Sequence, residues 1–165
     1  MSVQGPLHKV PIFTGLTESE MAQVKAICFL VSGDAGHCML REGEVVDSIY
    51  CLLSGQAAIM KQVDQNMPVV IAYVGAGAII GELSLLDNGP ASARIEATQP
   101  FKALKIDRLE FKRMLDGNAL LGYKIISRIA LVTTMRLRLT SGKLAQYMAV
   151  PFEAVEELDS EKAPS

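Results

Sequence analysis

Tryptophan is absent from the 165 residues, and aromatic side chains make up only 5% of them. A base-stacking platform of the single-strand-binding kind needs several aromatics, so that class is excluded. Histidine is nearly absent too. His8 and His37 are the two present, and neither belongs to a ligand cluster, so no zinc site is expected. The three cysteines, Cys28, Cys38 and Cys51, contain no C-x-x-C pair and are expected to be reduced and partly buried. No Ser–His or Cys–His arrangement is evident, which sets an enzyme such as a phosphodiesterase behind noncatalytic readings. An excess of either charge is also missing. With 16 basic and 18 acidic residues the net charge is −2, which gives no general attraction to nucleic acid or acidic membranes. No stretch approaches the roughly 18 uninterrupted apolar residues of a membrane span. No long apolar run follows Lys9 as it would in a secretory signal. A cytoplasmic location without membrane contact is expected.

What is present is apolar content, 50% of the residues, patterned in short runs. Thr17 and Glu20 form a capping box, and Leu16 with Met21 a hydrophobic staple. The helix they open is expected to place Met21, Val24, Ile27 and Cys28 on one face. From Phe29 the pattern turns strand-like and glycine-punctuated. Two apolar runs separated by Ser54-Gly55 predict a hairpin, and residues 64–68 a second turn before Val69. Many short strands with regular turn signals imply a sandwich or barrel. The run Gly75-Ala76-Gly77-Ala78-Ile79-Ile80-Gly81 is not a dinucleotide fingerprint, because Ile80 takes the third glycine position and no long helix follows. Phe101 to Ile106 reads as the last strand. Asp107 then caps a helix ended by Gly117, and Asn118 starts a longer one to about Thr140. On it Leu121, Ile125, Val132, Met135 and Leu139 make one apolar stripe, and Ile126, Ile129 and Leu137 another. One stripe can dock on the barrel and the other on a partner.

Residues 81–95, GELSLLDNGPASARI, combine a strand end, a glycine, a short helical turn, a loop and a strand. Free N–H groups at a helix start suit a phosphate. The carboxylate of Glu82 at the same place suits a neutral donor such as a sugar hydroxyl. Phosphate beside sugar means a nucleotide.

This stretch resembles the phosphate-binding cassette of cyclic-nucleotide-binding domains, as in bacterial catabolite activators and protein kinase A regulatory subunits. The family pattern runs roughly F-G-E-[LI]-A-L-[LMI], a short loop, then P-R-[AST]-A. Ile80-Gly81-Glu82-Leu83-Ser84-Leu85-Leu86 and Pro90 fit it. Arg41-Glu42-Gly43-Glu44 and the run to Gly55 match the family's β-roll, with Val46 where a glycine is usual. The resemblance implies a mainly β fold with flanking α: an antiparallel, jelly-roll-like β-roll with C-terminal helices over 1–145. An acidic, loosely docked tail is expected over 146–165. It also implies a ligand, cAMP or cGMP, with no metal. Glu82 would accept from the ribose 2′-hydroxyl, the N–H groups of Leu83 and Ser84 would face the phosphate next to Gly81, and Ser92 could help hold it. The family arginine falls on Ala91. Arg94 is the nearest arginine and could bind the phosphate only if the 87–90 loop were rearranged; alternation along a strand puts it on the other face, where a carboxylate is its expected partner. Thr133, Thr134, Arg136 and Arg138 are candidates to cap the base from the long helix. The resemblance covers about residues 10–140, and the few acidic residues beyond predict no DNA-binding domain. Two readings stay open: a standalone sensor that binds cyclic nucleotide weakly and signals through its C-terminal helix, or a ligand-free interaction module. A homodimer through the 118–140 helix and a separate effector protein are the expected partners.

Overall fold

The computed structural model describes residues 7–63 and 67–148. They belong to two compact units, Met1–Arg128 and Ile129–Ser165. The expected acidic tail lies outside the described residues, apart from the last helical turn.

The capping box forms as expected: Thr17 Oγ1 accepts from the Glu20 amide at 3.2 Å, and Glu20 Oε2 accepts from the Thr17 amide at 2.8 Å. It opens helix α1, Glu18–Ala26. The helix stops short of the face expected from Met21 to Cys28. Ile27 leaves the helical region, and Cys28 opens strand β1, Cys28–Gly33. A six-residue ladder with the strand ending at Asp107 takes Cys28 instead. Paired strand outweighs one more helical turn.

Among the described residues, eight strands form two four-stranded sheets. The first runs β1, β8 (Phe101–Asp107), β3 (Ser48–Ser54) and β6 (Ile79–Ile80). The second runs β2 (Cys38–Leu40), β7 (Arg94–Ala97), β4 (Ala57–Lys61) and β5 (Val69–Val74). All pairings are antiparallel. The fold is the expected antiparallel β-roll with flanking helices. Leu52, Ile80, Phe101 and Ala103 of the first sheet pack against Met39, Ala57, Ile95 and Ala97 of the second. The other face of the first sheet buries Ile49, Cys51, Leu104 and Ile106. Such two-sided burial requires a second cover, and the apolar helix residues Val24, Phe111, Leu121 and Ile125 are themselves fully buried.

The hairpin expected at Ser54-Gly55 does not form. β3 and β4 lie in different sheets, so the chain crosses between layers there. Gly55 has φ +88°, and a Cβ on it would lie 2.5 Å from the Pro100 carbonyl oxygen. Two apolar runs around Ser-Gly fit a hairpin and a sheet crossing equally well; the close approach of Pro100, 45 residues away in sequence, decides for the crossing. The second turn does join antiparallel neighbours, from Ala57↔Val74 to Lys61↔Val69, although residues 64–66 are outside the description.

Asp107 Oδ1 accepts from the Glu110 amide at 2.9 Å and caps α3, Arg108–Gly117. Asn118 Oδ1 accepts from the Leu121 amide at 3.2 Å before α4, Ala119–Met148, which runs past the expected end at Thr140. Neither expected stripe is uniform. Leu121 and Ile125 are fully buried, whereas Met135, Leu137 and Leu139 are more than half exposed. Periodicity places residues on one face, but burial depends on what lies beside that face. Among the described residues, no helix is long and apolar enough to cross a membrane.

Candidate functional site

β6 pairs with β3 through Tyr50↔Ile80 and Cys51↔Ile79, and the chain then turns sharply at Gly81, with φ +90°. Only glycine reaches that region without strain. Space is also short, because a Cβ here would lie 3.3 Å from both the Ser48 carbonyl oxygen and Val46 Cγ1. The turn starts the one-and-a-half-turn helix α2, Glu82–Asp87. Glu82 and Ser84 are buried, at 6% and 2% exposure, while Leu83 and Leu86 face outward. Asn88, in the left-handed region at φ 56°, closes α2 with its amide on Ser84 O at 3.1 Å. Arg108 holds this end. Its Nη1 donates to Asn88 Oδ1 at 3.1 Å and its Nε to Val46 O at 2.8 Å.

Beyond the loop, Ala91 is clamped on both sides. Its amide donates to Glu44 O at 2.9 Å, and its carbonyl accepts from the Gly43 amide at 2.8 Å. Ala91, Ala93, Ile95 and Ala97 are buried and alternate with Ser92, Arg94 and Glu96, which are not. Residue 91 therefore faces inward.

The family model for the cyclic nucleotide-binding domain matches residues 23–118, a span that contains this whole arrangement. The chain belongs to the cyclic-nucleotide-binding domain family. It is 33% identical over 110 residues to the cAMP-dependent protein kinase regulatory subunit of Emericella nidulans, covering 66% of this chain and 26% of that protein. It is 25% identical over 154 residues to a CRP-like cAMP-activated global transcriptional regulator of Mycobacterium tuberculosis, covering 92% and 67%. A cyclic nucleotide-binding domain from Methylobacillus flagellatus superposes with a TM-score of 0.76 at 26% identity, over 88% of this chain and 82% of that one. This chain thus spans about a quarter of the fungal subunit and two thirds of the mycobacterial regulator.

In this cyclic-nucleotide-binding domain, Gly81, Glu82, Leu83 and Ser84 come together at the start of α2. Ser92 is exposed, on the opposite parity from Ala91. Arg94 lies on the outer face of the second sheet, where Nε donates to Glu96 Oε2 at 3.1 Å and Nη2 donates to the same oxygen. Thr133, Thr134, Arg136 and Arg138 belong to the second unit. The two threonine hydroxyls donate to carbonyls one turn back, Ile129 O at 3.0 Å and Ala130 O at 2.8 Å.

Arg108 and Lys61 escaped the sequence reading, and Val46 was named there without its packing role. Arg108 follows the capping Asp107 and looks like an ordinary helix residue; its partners are 20 and 62 positions away. Val46, standing where the family has glycine, is 2% exposed and fills the space behind Gly81. Lys61 Nζ donates to Ser92 O at 2.7 Å and pairs with Glu42 Oε1 at 2.5 Å. Glu42 Oε2 also accepts from the Gln62 amide at 2.9 Å, and these two contacts hold the Glu42 carboxyl below the usual carboxylate range. Burial pushes the Cys28 thiol up to about 12 and raises Cys51 as well, so neither is a ready thiolate.

Proposed function

We propose that this chain is a noncatalytic regulatory module that binds a cyclic nucleotide, cAMP or cGMP, with reduced affinity and signals through its C-terminal helix. The observation that carries the reading is the buried carboxylate of Glu82, set directly after a left-handed Gly81 at the start of α2. An ionised carboxylate only accepts, so it suits a ribose hydroxyl. The N–H groups of Leu83 and Ser84 belong to the first turn, have no carbonyl partner within the helix, and suit a phosphate. The relatives named above as cAMP-dependent and cAMP-activated support the ligand class. Ala91 supports the reduced affinity. A charge-assisted bond is worth about 1.5–3 kcal/mol, and its absence weakens binding roughly ten- to a hundredfold. Any signal passes by the ligand's differential affinity for two states of the helix, to a separate effector or to a second copy.

Calorimetric titration with cAMP and with cGMP tests this. Wild type should bind weakly, Glu82→Gln more weakly, and Ala91→Arg more tightly. Nanomolar binding by wild type, unchanged in Ala91→Arg, would refute the role given to residue 91. No binding by wild type or Ala91→Arg would favour the second reading, a ligand-free interaction module. That reading draws on the burial of the Ala91 methyl and the bonding of both its backbone groups to the 43–44 turn.

A further inference from the structure

The missing cassette arginine leaves a question of charge, and β4 holds an answer. In the ladder between β4 and β7, Ile59 pairs with Ile95 and Met60 with Arg94. Ile59 packs on the inner cluster with Ile95. Lys61 ends β4, one residue past the last rung of that ladder, and its side chain is 48% exposed. The Lys61 ammonium reaches the Ser92 carbonyl, one residue beyond Ala91, at 2.7 Å. Its counter-ion Glu42 precedes Gly43, whose amide bonds to the Ala91 carbonyl. Lysine, acid and backbone clamp thus converge beside Ala91, the position where the family pattern has its arginine.

We infer that Lys61 supplies the cation for the phosphate of the bound nucleotide, from β4 instead of from the cassette; this rests on the nucleotide reading above. An ammonium has three donors, and Glu42 and Ser92 take two of them. The third meets a phosphate oxygen, and the phosphate competes with Glu42 for the charge. A lysine contributes a point charge where arginine makes a two-pronged contact, so the site is weaker than the family's and still charged.

The test is a titration of the full chain with cAMP and cGMP, comparing wild type, Lys61→Met, Lys61→Arg, Glu42→Gln, Ala91→Arg and the double variant Lys61→Met with Ala91→Arg. Thermal melts run beside it confirm that each variant is folded. Lys61→Met should lose about ten- to a hundredfold in affinity, and Lys61→Arg should retain binding. Glu42→Gln, freed of the competing carboxylate, should bind at least as tightly as wild type. In the Ala91→Arg background the same Lys61→Met change should cost little, because the arginine takes over the charge. An equal loss in both backgrounds, or a Glu42→Gln loss matching that of Lys61→Met, makes the lysine a structural tie and overturns the inference. Unchanged binding by Lys61→Met, with Glu82→Gln weakened, overturns it while leaving the nucleotide reading intact. Absence of binding in wild type and in Ala91→Arg overturns both.

Discussion

Replacing Gly55 by alanine tests the sheet crossing against a built-in control. Gly36 and Gly55 share φ +88°. Each alanine therefore carries the same left-handed penalty of about 1–2 kcal/mol. At Gly36 a Cβ meets nothing within 4 Å. At Gly55 it would lie 2.5 Å from the Pro100 carbonyl oxygen and 2.9 Å from Phe101 Cα, both backbone atoms. The next residue cannot swing away, because the Gln56 carbonyl accepts from the Thr98 amide at 2.8 Å and the Gln56 side chain holds the Thr98 hydroxyl at 3.1 Å. Overpacking of this kind adds about 1–3 kcal/mol. A chain of this size loses roughly 2–4 °C of Tm per kcal/mol. Gly36→Ala should therefore lower Tm by roughly 2–8 °C, and Gly55→Ala by roughly 4–20 °C. Thermal unfolding followed by circular dichroism, in one buffer, measures both. Equal Tm values for the two variants would refute the close crossing.

Two further predictions use the helices. Leu137 and Leu139 are 66% and 69% exposed and motivate a homodimer through α4. Wild type should sediment as a dimer, and Leu137→Glu combined with Leu139→Lys as a folded monomer; a monomeric wild type at high concentration would refute the seam. Ile125→Asp is unsuitable for this test, since Ile125 is fully buried and the charge would disrupt the fold itself. Lys124 and the Thr17 amide hold the Glu20 carboxyl below its usual range, with Lys124 Nζ at 2.8 Å from Oε2. A depressed folded pKa adds stability above the unfolded value, and that stability is lost as pH falls through the folded value. The Tm gap between wild type and Lys124→Met should hold from neutral pH to about pH 5 and narrow below about pH 4. A gap that persists undiminished into stronger acid would refute the pair's contribution.

Local signals survived into the structure wherever the partners were near in sequence. The Thr17–Glu20 box, the Asp107 cap and the Gly81-Glu82 turn each depend on residues within about one helical turn, so residue identity alone determined them. Strand alternation was equally legible: it put Arg94 on the face opposite Ala91, and Glu96 takes its guanidinium. What the sequence could not settle were the choices made by distant backbone. Ser54-Gly55 reads as a hairpin until Pro100 closes on it. Arg108 and Lys61 look like unpartnered cations until Asn88, Val46, Glu42 and Ser92 arrive beside them. The apolar period of α4 gives a face but no cover for it. The sequence by itself determined the Thr17 and Asp107 caps, the Gly81-Glu82 turn and the outward side of Arg94, because those follow from local dihedrals and side-chain direction. Only the tertiary structure decided which strands share a sheet and which charges meet beside Ala91, because those depend on chain segments distant in sequence, 31 residues apart for Lys61 and Ser92 and 78 for Cys28 and Ile106.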